Sequence, residues 1–545
     1  MKIENHLILQ ILLFFHLIIG QFYVPAQQWI KVLIPNKQTG PNAVVETYDK
    51  GYVTGGFFWG QGGTAKDGFI AKTDINGNML WYKTIGENDG GGISDVTNDL
   101  DGGLILTGNT SKLTPWGDPI IIKLDPCMEV SWCRIYYTPY PPWGDAGISI
   151  YPLTDGGYIT LMRYFGTLHE ERISLFRLDH DGDLIWQKTY LASDPLVMNQ
   201  DCYSLHIGND SSFIISAACD YPIPGTSIYW QRPYLIKTNS NGDMDWDLIW
   251  GADSSYVIGT QIYRSVTDNS GTIYSAGARY RNISPTGSSP TLYVTSPEGT
   301  ELYYKDIIPF SIGGALNTIN WLNDSTLLFG GGYSYSQMDV KNVAFKTNVF
   351  GDTIKTKIID VCNINAPVNI YDAVLTQDSK IVFAASKYAN NMARTYLYKL
   401  NFALDWDSIY TAPLVYDSLC PHPIPSDTIA QDCVIVGLDE PRNLAEENKL
   451  LVYPNPATDK ITIVIPDKLV KESRTTLFNV TTVFYQWDKI SLEINTFEGI
   501  SVFRKEIPNP MKQIEIDVSG WKRGMYLLRI LKGNNMVTSE KILIQ

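Results

Sequence analysis

Short apolar or alternating runs, separated by Asp-Gly and Asn-Gly punctuation, cover most of the chain. Side chains that alternate with period two belong to β-strands, and Gly, Asn and Asp accept the positive φ of tight turns. One unit recurs: a strand carrying Lys, then Asp or Asn, Gly three residues on, and Trp four beyond that. Its first copy holds Lys72, Asp74, Gly77 and Trp81. Further copies centre on Asp125, Asp179, Asn239, Ser296, Asn348 and Asn401, in steps of 51, 54, 60, 57, 52 and 53 residues. A second landmark, Asp or Asn before an apolar run, falls between them at Asp49, Asp101, Asp155, Asp210, Asn269, Asp324 and Asp378, in steps of 52, 54, 55, 59, 55 and 54. Two independent landmarks with one period predict seven copies of one supersecondary unit.

Each copy divides into four short strands, as in the second: Ile93–Val96, Leu104–Thr107, Ile120–Leu124 and Trp132–Tyr136. A four-stranded unit repeated seven times predicts a seven-bladed β-propeller over residues 27–410, within the usual range of about 4–8 blades. Closing the ring removes the sheet edges that an open array would expose. Trp29-Ile30-Lys31-Val32-Leu33 has the Trp-x-Lys signature of each fourth strand and is expected to complete the last, degenerate copy. The repeats are similar to the imperfect Lys-Leu-Asp-x-x-Gly-Asn-x-x-Trp propeller repeats of secreted bacterial proteins, a resemblance that implies a fold and no reaction.

The ends of the chain point to export. Leu7–Ile19 is an apolar run behind Lys2, too short for a spanning helix of about 20 residues, and suits a signal peptide over residues 1–26 with cleavage after Gly20 or Ala26. Prolines at 413, 421, 423, 425 and 441 mark residues 411–448 as a linker. Alternating segments in 449–545 predict a small immunoglobulin-like β-sandwich. Tyr453-Pro454-Asn455-Pro456, then Gly499, Gly524 with Tyr526, and Lys541 near the C-terminus form an ordered set. This set resembles the type A sorting domain of the type IX secretion system. The resemblance implies passage across the outer membrane of a Bacteroidota-type cell by the type IX machinery, handling by its sortase, removal of the domain and attachment to surface glycolipid. Residues 471–489 are longer than that family carries at this place.

Composition sets limits on chemistry. Of 545 residues, 18% are charged and 44% hydrophobic, a globular balance, and Gly 44, Tyr 33 and Trp 14 favour turns and strands. A net charge of −14 argues against nucleic acid as a partner, because phosphate binding needs a basic surface. The seven cysteines suit an oxidising destination. Cys202 with Cys219, Cys127 with Cys133 and Cys420 with Cys433 flank turns or a short loop and are the expected pairs, with free buried thiols the alternative for the first two; Cys362 is left over. His169, His180, His206 and His422 form no zinc motif, and the Asp-rich turns lack the spacing of a calcium loop, so neither metal nor cofactor is expected. The repeated Lys72, Lys123, Lys237, Lys346 and Lys399 are expected to be solvated or snorkelling side chains.

One aromatic follows the second strand of every copy: Trp59, Trp116, Tyr164, Tyr221, Tyr280, Tyr333 and Tyr388, joined by Trp230. The loops they occupy emerge on one face of a propeller, opposite the Asp-Gly turns. Such a ring would stack on sugar or peptide; packing between blades is the competing role. The expected function is binding or adhesion to an extracellular glycan or protein. The alternatives are a polymer-degrading enzyme with carboxylates at the propeller channel, and a structural surface component.

Overall fold

The computed structural model describes residues 29–437 and 451–544, apart from 61–64, 87–89, 115–116, 138–143, 166–170, 223–228, 252–256, 259, 282–286, 310, 312, 335–339, 363–368, 390–391, 431, 454–456, 465–470, 478–479, 487–489, 497–499, 508–512 and 533–534. The signal-peptide assignment therefore lies outside the described residues. The chain forms two compact units that divide between Leu438 and Asp439. Among the described residues every regular element is a strand.

In the first unit, seven antiparallel sheets follow the repeats. Their first, innermost strands are Thr39–Glu46, Gly91–Asn98, Ala146–Pro152, Gln200–Ile207, Ile262–Thr267, Gly313–Asn323 and Asn369–Leu375. The next two or three repeat strands pair outward in chain order. The seventh sheet takes its fourth strand from the N-terminus: Ile30–Val32 pairs with Met392–Asn401, Ile30 opposite Tyr398 and Val32 opposite Tyr396. The ring is thus closed by the strand that the Trp-x-Lys signature singled out.

Every innermost strand carries a β-bulge at the same place, at Asn42, Ser94, Ile148, Tyr203, Tyr263, Asn317 and Tyr371. A bulge bends the strand and frees an extra residue from the ladder. Here the freed groups reach the neighbouring sheet. Asn42 Nδ2 donates to Ile93 O at 2.7 Å and Asn317 Nδ2 to Ile370 O at 2.7 Å. One residue further, Asp95 accepts from Ile150 N at 3.0 Å, Ser149 Oγ from Leu205 N at 3.4 Å, and Asp372 from Val44 N at 2.9 Å, the last bond joining sheet seven to sheet one.

The outer edges are joined by the repeat motif itself. Gly and Trp of one copy do not meet; Trp29, Trp132, Trp186 and Trp246 each cover the turn glycine of the next sheet. A Cβ on Gly77 would lie 2.6 Å from Trp29, on Gly182 2.7 Å from Trp132, on Gly242 2.6 Å from Trp186 and on Gly299 2.6 Å from Trp246. These glycines also hold positive φ, between 74° and 84°, so both close approach and conformation require them. The basic residue two after the Trp reaches the polar residue after that Gly: Lys31 to Asn78 at 3.0 Å, Lys188 to Asp243 at 2.8 Å and Arg134 to Asp183 at 3.2 Å.

The repeated lysines are not solvated. Lys72 is buried and bonds Asp49 at 2.6 Å, Lys123 bonds Asp101 at 2.7 Å, and Lys237 and Lys399 pair with Asp210 and Asp378. The two sequence landmarks are thus ion-paired within these sheets. Burial alone would raise the Asp49 carboxyl, but hydrogen bonds from Lys72 and Thr47 hold it below its ordinary value. Lys346 reaches the Phe402 carbonyl instead, at 3.4 Å.

Residues 411–437 are no free linker. Thr428–Ile429 adds in parallel to Met79–Ile85, the edge of sheet one, and Val434–Gly437 to Val130–Tyr137, the edge of sheet two. Asp417 bonds Lys72 at 2.5 Å and accepts from Trp81 Nε1 at 3.1 Å. The strap stands where the repeat fails: Cys127 and Met128 replace the usual turn residues, Met128 holds φ 61°, and Trp81 is covered by the strap. Disulfides Cys127–Cys420 and Cys133–Cys433 bind it, joining residues 293 and 300 apart. The expected Cys127–Cys133 and Cys420–Cys433 bridges are therefore corrected: Cys127 sits in a turn, whereas Cys133 pairs along the strand with Ile122. Cys202 and Cys219 are buried free thiols. Their register, Gln200 opposite Cys219 and Cys202 opposite Ala217, makes them diagonal neighbours, too far apart for the Cβ separation of about 3.8 Å that a disulfide needs. The Cys362 side chain lies outside the described residues.

The second unit stacks two sheets on one core. Leu451–Tyr453, Lys460–Val464 and Gln513–Asp517 form one; Ser501–Ile507, Ile490–Thr496, Gly524–Lys532 and Asn535–Ile544 form the other. Ile461, Ile463, Leu492, Ile494, Leu528 and Ile530 fill the space between them. The long 471–489 segment is a separate hairpin, Lys471–Leu477 with Val480–Gln486.

Non-reducing peptide mapping is expected to recover Cys127–Cys420 and Cys133–Cys433, and loss of either bridge to lower unfolding stability by about 2–5 kcal/mol; a Cys127–Cys133 peptide would contradict this pairing. Gly242→Ala should destabilise by about 1–3 kcal/mol, from positive φ and the clash with Trp186. Adding Trp186→Ala relieves the clash alone, so the two changes should be non-additive in urea unfolding.

Candidate functional site

The inner strands face a central bore. Arg264 of sheet five forms an ion pair with Asp372 of sheet seven, passing over sheet six; only side chains inside the ring can meet in this way. Each inner strand runs from the loop face toward the Asp-Gly turn face, so position along the strand is depth in the bore. The bulge residues Tyr203, Tyr263 and Tyr371 are half-buried and form the upper layer. Their hydroxyls are held toward the loop face: Tyr203 accepts from Gln231 Nε2 at 3.4 Å, Tyr263 from Gln261 Nε2, and Tyr371 bonds the Asn369 side chain. Tyr203 and Tyr263 pack with centroids 5.2 Å apart.

One residue deeper lie Asp95, Arg264 and Asp372, and deeper still Tyr151 and His206. Burial pushes the Asp95 carboxyl up to about 7, against the opposing pull of the Ile150 N–H and Arg264. Burial, with the Arg264 charge, holds His206 down to about 4; its neutral Nε2 accepts from Thr267 N at 3.2 Å. These acids are primarily stitches between sheets, since both carboxylates accept backbone N–H groups of the next sheet.

At the bore's rim, Arg163 bonds Asp201 at 3.1 Å and the Gly144 carbonyl at 3.2 Å. Glu171 stands nearby; burial, then the Asp201 charge, raises it to about 7. Among the aromatic positions, Trp230 stacks on Tyr280 across sheets four and five, centroids 5.7 Å apart and planes 29° from parallel. Trp230 is 36% exposed and Tyr280 half-buried. Trp59 is half-buried, edge-on to Phe57 at 4.8 Å. Tyr164, Tyr221 and Tyr333 are buried: Tyr164 stacks on Phe176 at 5.6 Å, Tyr221 donates to Asp194 at 2.7 Å and Tyr333 packs near Phe345. Trp116 and the Tyr388 side chain lie outside the described residues. The bore layers were not singled out from the sequence. The signal was present, because the bulge residues recur at the repeat period, but their types differ from copy to copy.

In the second unit, Gly524 opens its strand, Tyr526 is buried and donates to the Lys522 carbonyl at 2.7 Å, and Lys541 is exposed opposite Leu527. The Tyr453 side chain and Pro454, Asn455, Pro456 and Gly499 lie outside the described residues. Residues 451–545 match the family described as Secretion system C-terminal sorting domain. The C-terminal unit is a type IX sorting domain. The protein is accordingly secreted or attached to the cell surface.

No curated protein matches the chain. Solved structures similar to it include a PL25 ulvan lyase bound to -[GlcA(1-4)Rha3S]- (12% identity, 67% of this chain and 97% of that one, TM-score 0.47). The polysaccharide lyase Uly1 is similar at 11% identity, over 71% of this chain and 94% of that one, with TM-score 0.43. Drosophila Semaphorin 1a, extracellular domains 1-2, is similar at 8% identity, over 68% and 87%, with TM-score 0.41. At this identity and overlap the similarity bears on no residue of this chain.

Asp95 carries a pH signature. With its folded pKa raised to about 7 above an unfolded value of about 3.9, the folded protein keeps a proton that the unfolded chain releases. Its contribution to stability therefore falls as pH rises from about 4 to about 7. Asp95→Asn is expected to gain stability relative to the parent between about pH 5 and about pH 8 in urea unfolding; parallel pH curves would contradict this.

Proposed function

We propose that this exported protein binds an extracellular glycan on its loop face, as a secreted or surface-displayed binding or adhesion module. The observation that carries the reading is the Trp230–Tyr280 stack, with the indole partly exposed beside Gln231. A flat aromatic face accommodates the C–H face of a sugar ring, and neighbouring amides and hydroxyls order its hydroxyl groups. Tyr280 behind the indole fixes its orientation, which lowers the entropy lost on binding. In the same reading, the type IX machinery and its sortase deliver the propeller to the surface, where glycolipid attachment would display it.

A second reading, a polysaccharide-degrading enzyme, is supported by Glu171, whose raised carboxyl beside Asp201 and Arg163 suits a proton donor. Trp230→Ala is expected to lower glycan-array affinity about 10-fold, equivalent to a stacking contribution of about 1.4 kcal/mol, with an unchanged thermal midpoint. Unaltered binding overturns the Trp230 assignment. Polymer cleavage by the parent that is lost in Glu171→Gln would establish the enzymatic reading instead.

A further inference from the structure

Beneath the bulge layer, charged and phenolic side chains of several sheets reach into the bore. Arg264 crosses it from sheet five to Asp372 of sheet seven, and Asp95 of sheet two and Tyr151 of sheet three stand within electrostatic reach of the same guanidinium. Above the strut stand Tyr203 and Tyr263 on one side and Tyr371 from sheet seven, all half-buried bulge residues with hydroxyls turned toward the opening. Asn42 and Asn317 share that bulge layer; each gives its amide N–H to a neighbouring carbonyl, so the amide oxygen remains as an acceptor.

We propose that this layer is a blind cup that receives the terminal sugar residue of a glycan chain, with Tyr203, Tyr263 and Tyr371 as its walls and the Arg264–Asp372 pair as its floor. The proposal rests on the glycan-binding reading and adds to it chain-end recognition. The lining defines the class of guest. Phenol rings offer flat apolar faces, and phenol and amide groups offer donors and acceptors at their edges, the combination that suits a hydroxylated ring. Arg264 at the floor is ion-paired with Asp372, and the Asp201 carboxylate hydrogen-bonds the Tyr203 hydroxyl, so the lining favours an uncharged guest over an anionic one. The rim aromatics Trp230 and Tyr280 belong to sheets four and five, the sheets that supply Tyr203 and Tyr263. A chain whose end enters the cup therefore leaves across the side of the rim that carries the exposed indole.

The test uses the full-length protein and an array of linear oligosaccharides immobilised through their reducing ends. Methyl glycosides of the terminal sugars serve as competitors. The cup predicts that binding is competed by the methyl glycoside of the terminal sugar, and that Tyr371→Ala weakens it about 10-fold or more. Tyr371→Phe, which keeps the ring, should fall between the two, with thermal midpoints confirming that each variant is folded. Binding that depends on Trp230, yet is insensitive to both Tyr371 variants and to methyl glycosides, overturns the cup and leaves the glycan reading standing. An array that the parent protein does not bind overturns both.

Discussion

Each sheet of this propeller is finished by its neighbour, and the rest of the molecule depends on that sharing. At the outer edge a Trp of one sheet lies against the turn glycine of the next, with a basic residue two positions on reaching the adjoining polar side chain. At the inner edge, bulge residues and those that follow them bond to the next strand's backbone. A four-stranded sheet leaves both faces in need of cover. The repeating clamp supplies it, and it closes only because Ile30–Val32 completes the seventh sheet. Where the clamp is interrupted, at the turn holding Cys127 and Met128, the 411–437 strap substitutes for it through Asp417, two short parallel strands and two disulfides.

Buried charge follows the same economy of pairing. Lys72 and Lys399 are almost fully enclosed, and each has carboxylate partners from a turn of its own sheet and from a following segment. Removing one partner of such a pair would leave an unbalanced charge in a poor solvent, the costly case for a buried ion. In the bore the polar groups of all seven sheets converge, and there Asp95 and Asp372 act as stitches directly below the bulge layer. Structure and candidate site thus use the same residues, which is why the acids in the bore are weak indicators of catalysis.

The aromatic positions show how far a pattern along the chain can be taken. At Trp59, Tyr164, Tyr221, Tyr280 and Tyr333 the spacing falls on the end of a second strand, but burial separates these residues into different roles. Tyr164, Tyr221 and Tyr333 turn inward and pack, while Trp230 meets Tyr280 across two sheets and keeps a solvent-facing surface. Residues at one repeat position share a strand end, but the neighbour beside the ring differs from copy to copy: Phe176 for Tyr164, Asp194 for Tyr221 and Phe345 for Tyr333. The bulge tyrosines were harder to find, because only three of seven copies carry Tyr there and a bulge is a property of strand pairing.

By itself the sequence determined the repeat number, the turn positions, the closing strand and the export address, because these rest on local periodicity, positive-φ turn residues and a contiguous C-terminal motif. Tertiary structure alone decided the partners. Glycine and tryptophan in one motif serve different junctions, the mid-strand lysines find the turn aspartates some twenty residues earlier in the chain, and Cys127 and Cys133 bridge to the strap at Cys420 and Cys433. The reason is geometric: a ring brings chain positions hundreds of residues apart to the same edge, and strand register then selects which side chains come within bonding distance.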